Sequence, residues 1–153
     1  MQIQIKITDK SVIDYLKKLN SQSTIIWEDI WGYFSISFLG KEIFKDEDFL
    51  FFEFYNAIRY WENHKDEDFI YDAIDTPMAN PSIAFMHDKD CFECVMWANK
   101  IDAIVSTKEL EQLCIDFKKE LKMTMASINK QLTDEIVLSL LKQLETPYRL
   151  IYR

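Results

Sequence analysis

Ile3, Ile5 and Ile7 alternate with Gln4 and Lys6, the period-two mark of a strand with one buried face. From residue 9 to residue 20 the period changes. Val12, Ile13, Leu16 and Leu19 fall on one stripe of a helix, while Lys10, Lys17 and Lys18 stay in solvent. A polar break over residues 21–24 leads into two predicted strands, residues 24–27 and 33–38, joined by a turn over residues 28–32. In the second strand Phe34, Ile36 and Phe38 share one face, opposite Tyr33, Ser35 and Ser37. Residues 39–41 form another turn, and residues 42–44 a short third strand that completes an antiparallel meander.

The next stretch reads as a helix that is apolar over most of its circumference. Asp46 or Asp48 caps it, Glu47 lies near its positive end, and it runs to about Asn63. Phe49, Phe52, Tyr55 and Arg59 lie on adjoining turns, as do Leu50, Phe54, Ile58 and Trp61; only Glu53, Asn56 and Asn63 mark a polar stripe. Such a helix packs on more than one side, which predicts the hub of the core.

Beyond it, residues 69–74 predict a strand ended by Asp75-Thr76-Pro77, and residues 78–81 an irregular loop. Residues 82–86 and 91–97 predict a hairpin around Asp88-Lys89-Asp90. Ile101, Ala103 and Val105 mark one more short strand. Ser106 and Glu109 form a capping box that opens a helix to about Met123 or Met125, with Leu110, Leu113, Cys114, Phe117 and Leu121 inward. A final helix begins near Thr133, buries Ile136, Val137, Leu140, Leu141 and Leu144, and stops at Pro147; residues 148–153 are a last strand or a tail. The pattern predicts an α+β fold, an antiparallel β-sheet of about six to seven strands with three to four helices packed on it. No shift of composition divides the chain, so residues 1–153 read as a single compact domain, with 131–153 a C-terminal helical extension.

Composition narrows the function classes. At 153 residues the chain is long enough to bury a core without a metal or disulfide staple. Its two glycines, Gly32 and Gly40, are too few and too far apart for a phosphate-cradling loop, and its net charge of −8 repels phosphates. Nucleotide and nucleic-acid binding are therefore disfavoured. No apolar run reaches the ~20 residues of a membrane span, and the N-terminus lacks the parts of a signal peptide. Three cysteines cannot all pair within one chain, and together these features predict a cytoplasmic protein.

The charge is concentrated. Between Glu42 and Asp75 stand eleven carboxylates opposed only by Lys45, Arg59 and Lys65, so this segment alone carries the −8 of the whole chain. It includes a near-repeat, Lys45-Asp-Glu-Asp-Phe49 and Lys65-Asp-Glu-Asp-Phe69, whose two halves flank the hub helix and are expected about 25–30 Å apart. A folded, aromatic-rich, acidic surface predicts a basic protein partner. The partner-binding candidates are Asp46, Glu47, Asp48, Glu62, Asp66, Glu67, Asp68, Asp72 and Asp75, with most weight on the stretch from Glu62 to Asp75. The competing interpretation is a solvated face that keeps the protein soluble. Trp27, Trp31, Tyr60, Trp61 and Trp97 are candidate aromatic anchors, although large aromatics are more often core.

Enzymatic chemistry finds little support. Cys91-Phe-Glu-Cys94 has redox spacing, but it falls in an apparent strand beside Asp88, Asp90 and Glu93, which would raise thiol pKa values. A zinc site would need His87 with these cysteines and then Cys114 or His64, and a second ligand pair is missing. The acidic tetrads lack the spacing and glycine of a calcium loop, and no nucleophile motif accompanies His64 or His87. No catalytic, cofactor or metal residue is assigned. The rival to a binding role is a small zinc- or thiol-dependent protein using His87, Cys91 and Cys94, and a further alternative is an adaptor subunit.

The order of features resembles small bacterial immunity-like proteins of polymorphic toxin and contact-dependent growth inhibition systems. The likeness is carried by Gly32-Tyr-Phe-Ser-Ile-Ser, by the acidic-aromatic helix from Phe52-Glu-Phe to Tyr60-Trp61, and by Phe69-Ile-Tyr-Asp-Ala-Ile-Asp. Pro81-Ser-Ile-Ala-Phe and Ser106-Thr-Lys-Glu-Leu extend it, over about residues 3–123. The resemblance implies a cytoplasmic antitoxin that binds one cognate toxin. Many such toxins are basic nucleases, to which an acidic surface offers rapid electrostatic association.

Overall fold

The computed structural model describes residues 1–21, 30–72, 82–97 and 99–128. The elements predicted over residues 24–27 and 133–146, the loop over residues 78–81, and the residues after Pro147 lie outside them, as does Asp75.

Strand β1 (Gln2–Ile7) turns its three isoleucines to one side and is followed at once by α1 (Asp9–Asn20), which has the predicted bounds. β1 pairs antiparallel with β2 (Trp31–Phe38), placing Ile3 opposite Ile36 and Ile5 opposite Phe34. Gly32, predicted in a turn, is a strand residue opposite Ile7, where a Cβ would stand 2.3 Å from the Lys6 carbonyl oxygen. Close backbone approach, and not an unusual torsion, is what requires glycine there. A two-residue turn, Leu39 at φ 50° and Gly40 at φ 79°, joins β2 to β3 (Lys41–Leu50).

The length of β3 corrects the sequence-based expectation of a short strand followed by an acid-capped helix. Asp46, Glu47 and Asp48 belong to the strand, and α2 (Phe51–Glu62) begins only after it, with Leu50 at the N-cap position and no side-chain cap. Phe49 decides the matter. Held in the ladder opposite Gly32, it is buried and packs 4.4 Å from the Phe34 ring. A register shift between Gly32 and Phe34 inserts one extra residue on β3, a bulge that keeps both Phe44 and Phe49 inward. Burial of that ring and the ladder bonds outweigh the roughly 1 kcal/mol that an acidic cap supplies. The helix between the two tetrads is therefore twelve residues long, about 18 Å at 1.5 Å per residue.

The remaining strands form a second antiparallel sheet in sequence order: β4 (Phe69–Tyr71), β5 (Ile83–Asp88), β6 (Cys91–Met96) and β7 (Asn99–Ser106). The seven strands among the described residues are thus divided into sheets of three and four, because α2 comes between β3 and β4 and ends the first meander. Helix α3 (Thr107–Ile128) starts at the predicted capping box: Ser106 Oγ accepts from the Glu109 N–H at 3.3 Å, and Glu109 Oε2 accepts from the Ser106 N–H at 2.9 Å.

The hub reading of α2 holds. Phe54 lies within 5.6 Å of Phe34, Phe49, Phe69, Tyr71 and Phe117, so one helical side chain joins both sheets to α3. Glu53, expected on a polar stripe, is instead buried, and Tyr71 donates its hydroxyl to Glu53 Oε2 at 3.4 Å. Together these elements give an α+β architecture of two antiparallel sheets and three helices around one aromatic core. No helix among the described residues is long and apolar enough to cross a membrane.

Candidate functional site

The turn after α2 is tightly organised. Asn63 donates its side-chain amide to the Arg59 carbonyl at 2.8 Å, and the His64 N–H reaches the Trp61 carbonyl at 2.8 Å. The Glu67 N–H then bonds the His64 carbonyl at 3.0 Å, while the buried Trp61 indole donates to the Glu67 carbonyl at 3.1 Å. His64 stacks on the exposed Tyr60 ring at 4.3 Å. Its Nδ1 lies 2.8 Å from the Tyr60 carbonyl oxygen, which can only accept, so that nitrogen carries the proton. With the backbone committed inward, the side chains of Asp66 and Glu67 are turned to solvent.

Asp68 connects this turn to the rest of the sheet. Its Oδ1 accepts from the His87 N–H at 2.6 Å, one residue before β4 begins pairing with β5. That bond brings the turn beside the β5–β6 hairpin tip, Asp88-Lys89-Asp90, where Lys89 takes φ 57°. In the next row Cys91 pairs with Ser106, so the first turn of α3 sits at the same end. Lys65 reaches Glu111 on α3, and Lys118 on α3 pairs with Glu62. The Glu111 carboxylate raises the Lys65 pKa, and the two hydrogen bonds from Ser106 lower that of Glu109.

One end of the second sheet therefore collects carboxylates from three separate segments. Asp66, Glu67 and Asp68 come from the turn, Asp88 and Asp90 from the hairpin tip, and Glu109 and Glu111 from α3. Lys65, Lys89 and Lys108 are the lysines among them. We refer to this end as the acidic pole. Asp88, Asp90, Glu109 and Glu111 were missed by sequence reasoning because they lie outside the acidic window. The signal was present in the hairpin reading, since a turn at residues 88–90 carries its own acids to a sheet end.

The first tetrad lies elsewhere, at the bulge of β3. Asp46 is half-buried, its Oδ1 accepts from the Asp48 N–H at 2.9 Å, and burial raises its pKa. Glu47 pairs with Lys45 at 3.0 Å, and Asp48 is exposed. Of the other candidates, Glu62 is engaged by Lys118, and Asp72 follows β4 at the end away from the pole with a buried Oδ1 that lacks a hydrogen-bond partner. The predicted sites thus do not share one surface, and only the stretch from Asp66 to Asp68 belongs to the pole.

The residues of the thiol or zinc alternative do not converge. Strand periodicity puts Cys94 inward with Phe92 and Met96, and Cys91 on the opposite face, where its Sγ donates to the Asp88 carbonyl at 3.2 Å. His87 is paired with Phe92 and lies edge-on to that ring at 5.1 Å. Burial pushes the thiols of Cys94 and Cys114 up to about 12, which keeps both neutral. Among the described residues no three side chains of ligand type gather at one point.

A family model described as a domain of unknown function (DUF7878) matches residues 2–127. No curated protein and no solved structure matches the chain.

Proposed function

The chain belongs to the DUF7878 family, a domain of unknown function, and from that premise we propose that it is a non-enzymatic binding protein whose acidic pole receives a basic protein partner. The observation that carries this reading is the convergence of three chain segments on one ordered sheet end. Asp66, Asp88 and Asp90 are exposed there and spend no side-chain bond on the fold. A solubilising charge has no need of a rigid platform, whereas a docking surface gains from one because less conformational entropy is lost on association. The exposed Tyr60, stacked on His64 beside Glu67, is a preorganised aromatic anchor at the rim.

The resemblance to immunity-like proteins gives the proposal its specific form: a cytoplasmic antitoxin that holds a cognate toxin, a basic nuclease in the leading case. Steering by the pole would raise the association rate about tenfold or more at low salt. The test titrates a candidate toxin domain, sought among the genes neighbouring this one, against wild type and against the combined Asp66→Asn, Glu67→Gln, Asp88→Asn and Asp90→Asn variant. Slower association and a shallower salt dependence, with an unchanged melting temperature, are expected. Equal rates and equal salt slopes for the two proteins would eliminate the pole as the contact.

A further inference from the structure

The second sheet has a face turned away from the aromatic core, and beside the pole it exposes three large apolar side chains around the Glu93–Lys100 ion pair. Directly opposed residues share a face, so the pairs Met86–Glu93 and Glu93–Ile104 form one outward row across β5, β6 and β7. Ile70 on β4 points the same way, since its neighbours Phe69 and Tyr71 are buried. Ile104 is 64% exposed, Ile70 49% and Met86 36%, values far from those of the inward rows.

Beside Ile104 the ladder is irregular. Glu93 pairs with Ile104 but Val95 pairs with Lys100, so β7 carries extra residues against Cys94. The bulge opens a recess of ≈ 390 Å³ lined by Glu93, Lys100, Asp102 and Ile104. Lys100 bonds Glu93 at 2.7 Å across its wall, and Asp102 is exposed. Bulges commonly re-aim side chains at functional edges.

We infer that this outward face is the apolar centre of the same contact whose charged rim is the acidic pole, and that it takes a basic segment bearing aliphatic side chains on the partner protein. The inference rests on the binding reading of the pole. Continuity supports it: Met86 and Asp88 alternate onto one face of β5, and Ile70 is two residues from Asp68 at the pole. From β4 to β7 the patch spans three strand spacings, about 14 Å, the reach of an extended segment of about four or five residues. An apolar centre with a polar rim is the usual anatomy of a specific interface. The charge of that rim selects lysine or arginine around the aliphatic anchor.

The probes are a lysine-rich peptide carrying two leucines and its twin with serines in their place. Each is titrated into the full chain while the backbone amide signals and the isoleucine and methionine methyl signals are followed. The leucine peptide is expected to bind about tenfold more tightly, as burial of one aliphatic side chain implies, and to shift Ile70, Met86 and Ile104. Ile104→Ser should remove that advantage and leave binding of the serine peptide intact. Equal binding of both peptides, with shifts confined to residues 64–68 and 87–91, would overturn this inference and spare the acidic-pole reading. Failure of both to bind at low ionic strength would overturn the two together. Concentration-dependent dimerisation that broadens the same methyls would assign the face to a second copy of the chain and likewise overturn the proposal.

Discussion

Asp68 and Asp66 are the same residue type two positions apart, yet their carboxylates have different duties, and that difference can be measured. The Asp68 carboxylate accepts the His87 N–H at 2.6 Å and ties the turn after α2 to the β5–β6 hairpin. A hydrogen bond to a charged group contributes about 1.5–3 kcal/mol. Asp68 is half-exposed, so its contribution belongs near the lower limit, about 1.5 kcal/mol. Asp68→Ala should cost that amount, which in a chain of this size lowers the melting temperature by about 3–6 °C. Asp68→Asn retains a neutral acceptor and should cost about half as much. Asp66→Ala removes an exposed charge with no hydrogen bond to lose, so stability should stay within about 0.5 kcal/mol of wild type. Urea unfolding should show a lower midpoint for Asp68→Ala with an unchanged slope, and native-state hydrogen exchange should accelerate at the His87 amide. If Asp66→Ala is as costly as Asp68→Ala, or if His87 exchange is unaltered, the division between structural and free carboxylates fails.

Three further outcomes follow from the geometry. Gly32→Ala should destabilise by about 3 kcal/mol or more, or prevent folding, because its Cβ meets backbone atoms of Lys6, Ile7 and Thr8 between 2.3 and 2.9 Å; a variant that melts like wild type would refute the close-approach argument. In thiol titration only the partly exposed Cys91 should react in the native protein, with Cys94 and Cys114 labelling once urea unfolds it; rapid native labelling of all three would contradict the burial that holds the latter two neutral. Ser106→Ala should cost about 1 kcal/mol at neutral pH. The Glu109 pKa is lowered in the fold, so the stability its carboxylate contributes is present above its ordinary pKa and lost as pH falls through the lowered value. The gap between wild type and Glu109→Gln should therefore close on acidification, and a gap that widens would reverse the sign of this linkage.

The elements legible in the chain were those specified by neighbouring residues. β1 showed its alternation, α1 its stripe, the β5–β6 hairpin its turn, and α3 its capping box. The misread features depend on residues distant in the chain. Asp46, Glu47 and Asp48 carry a sound local cap signal, overridden by the pairing of Phe49 with Gly32 and by the ring of Phe34. Glu53 falls on the polar stripe of a helical wheel, but α2 is packed all round and Tyr71 supplies a hydroxyl to it. The site was half legible for the same reason. Asp66 and Glu67 lie in the acidic window, whereas Asp88, Asp90 and Glu109 reach the pole only through the register of the second sheet.

The repeated Lys-Asp-Glu-Asp-Phe segment shows why charge density in sequence is a poor guide to a surface. In both copies the closing phenylalanine is buried, which fixes the chain direction and leaves Glu47 and Asp48 in the first, Asp66 and Glu67 in the second, turned outward. In both, the carboxylate of one aspartate accepts a backbone N–H: Asp46 from Asp48, and Asp68 from His87. The copies diverge in context. The first lies on β3, an edge of the three-stranded sheet, where charged residues and a bulge oppose pairing with another chain. Edge protection is a sufficient reason for its acids, and no partner is needed to explain them. The second copy is not itself a long strand edge; it is a bonded turn that meets further carboxylates from two other segments. Protection against edge pairing does not account for that convergence. The binding proposal therefore rests on the second copy, and neutralising the first should leave partner affinity unchanged while increasing self-association.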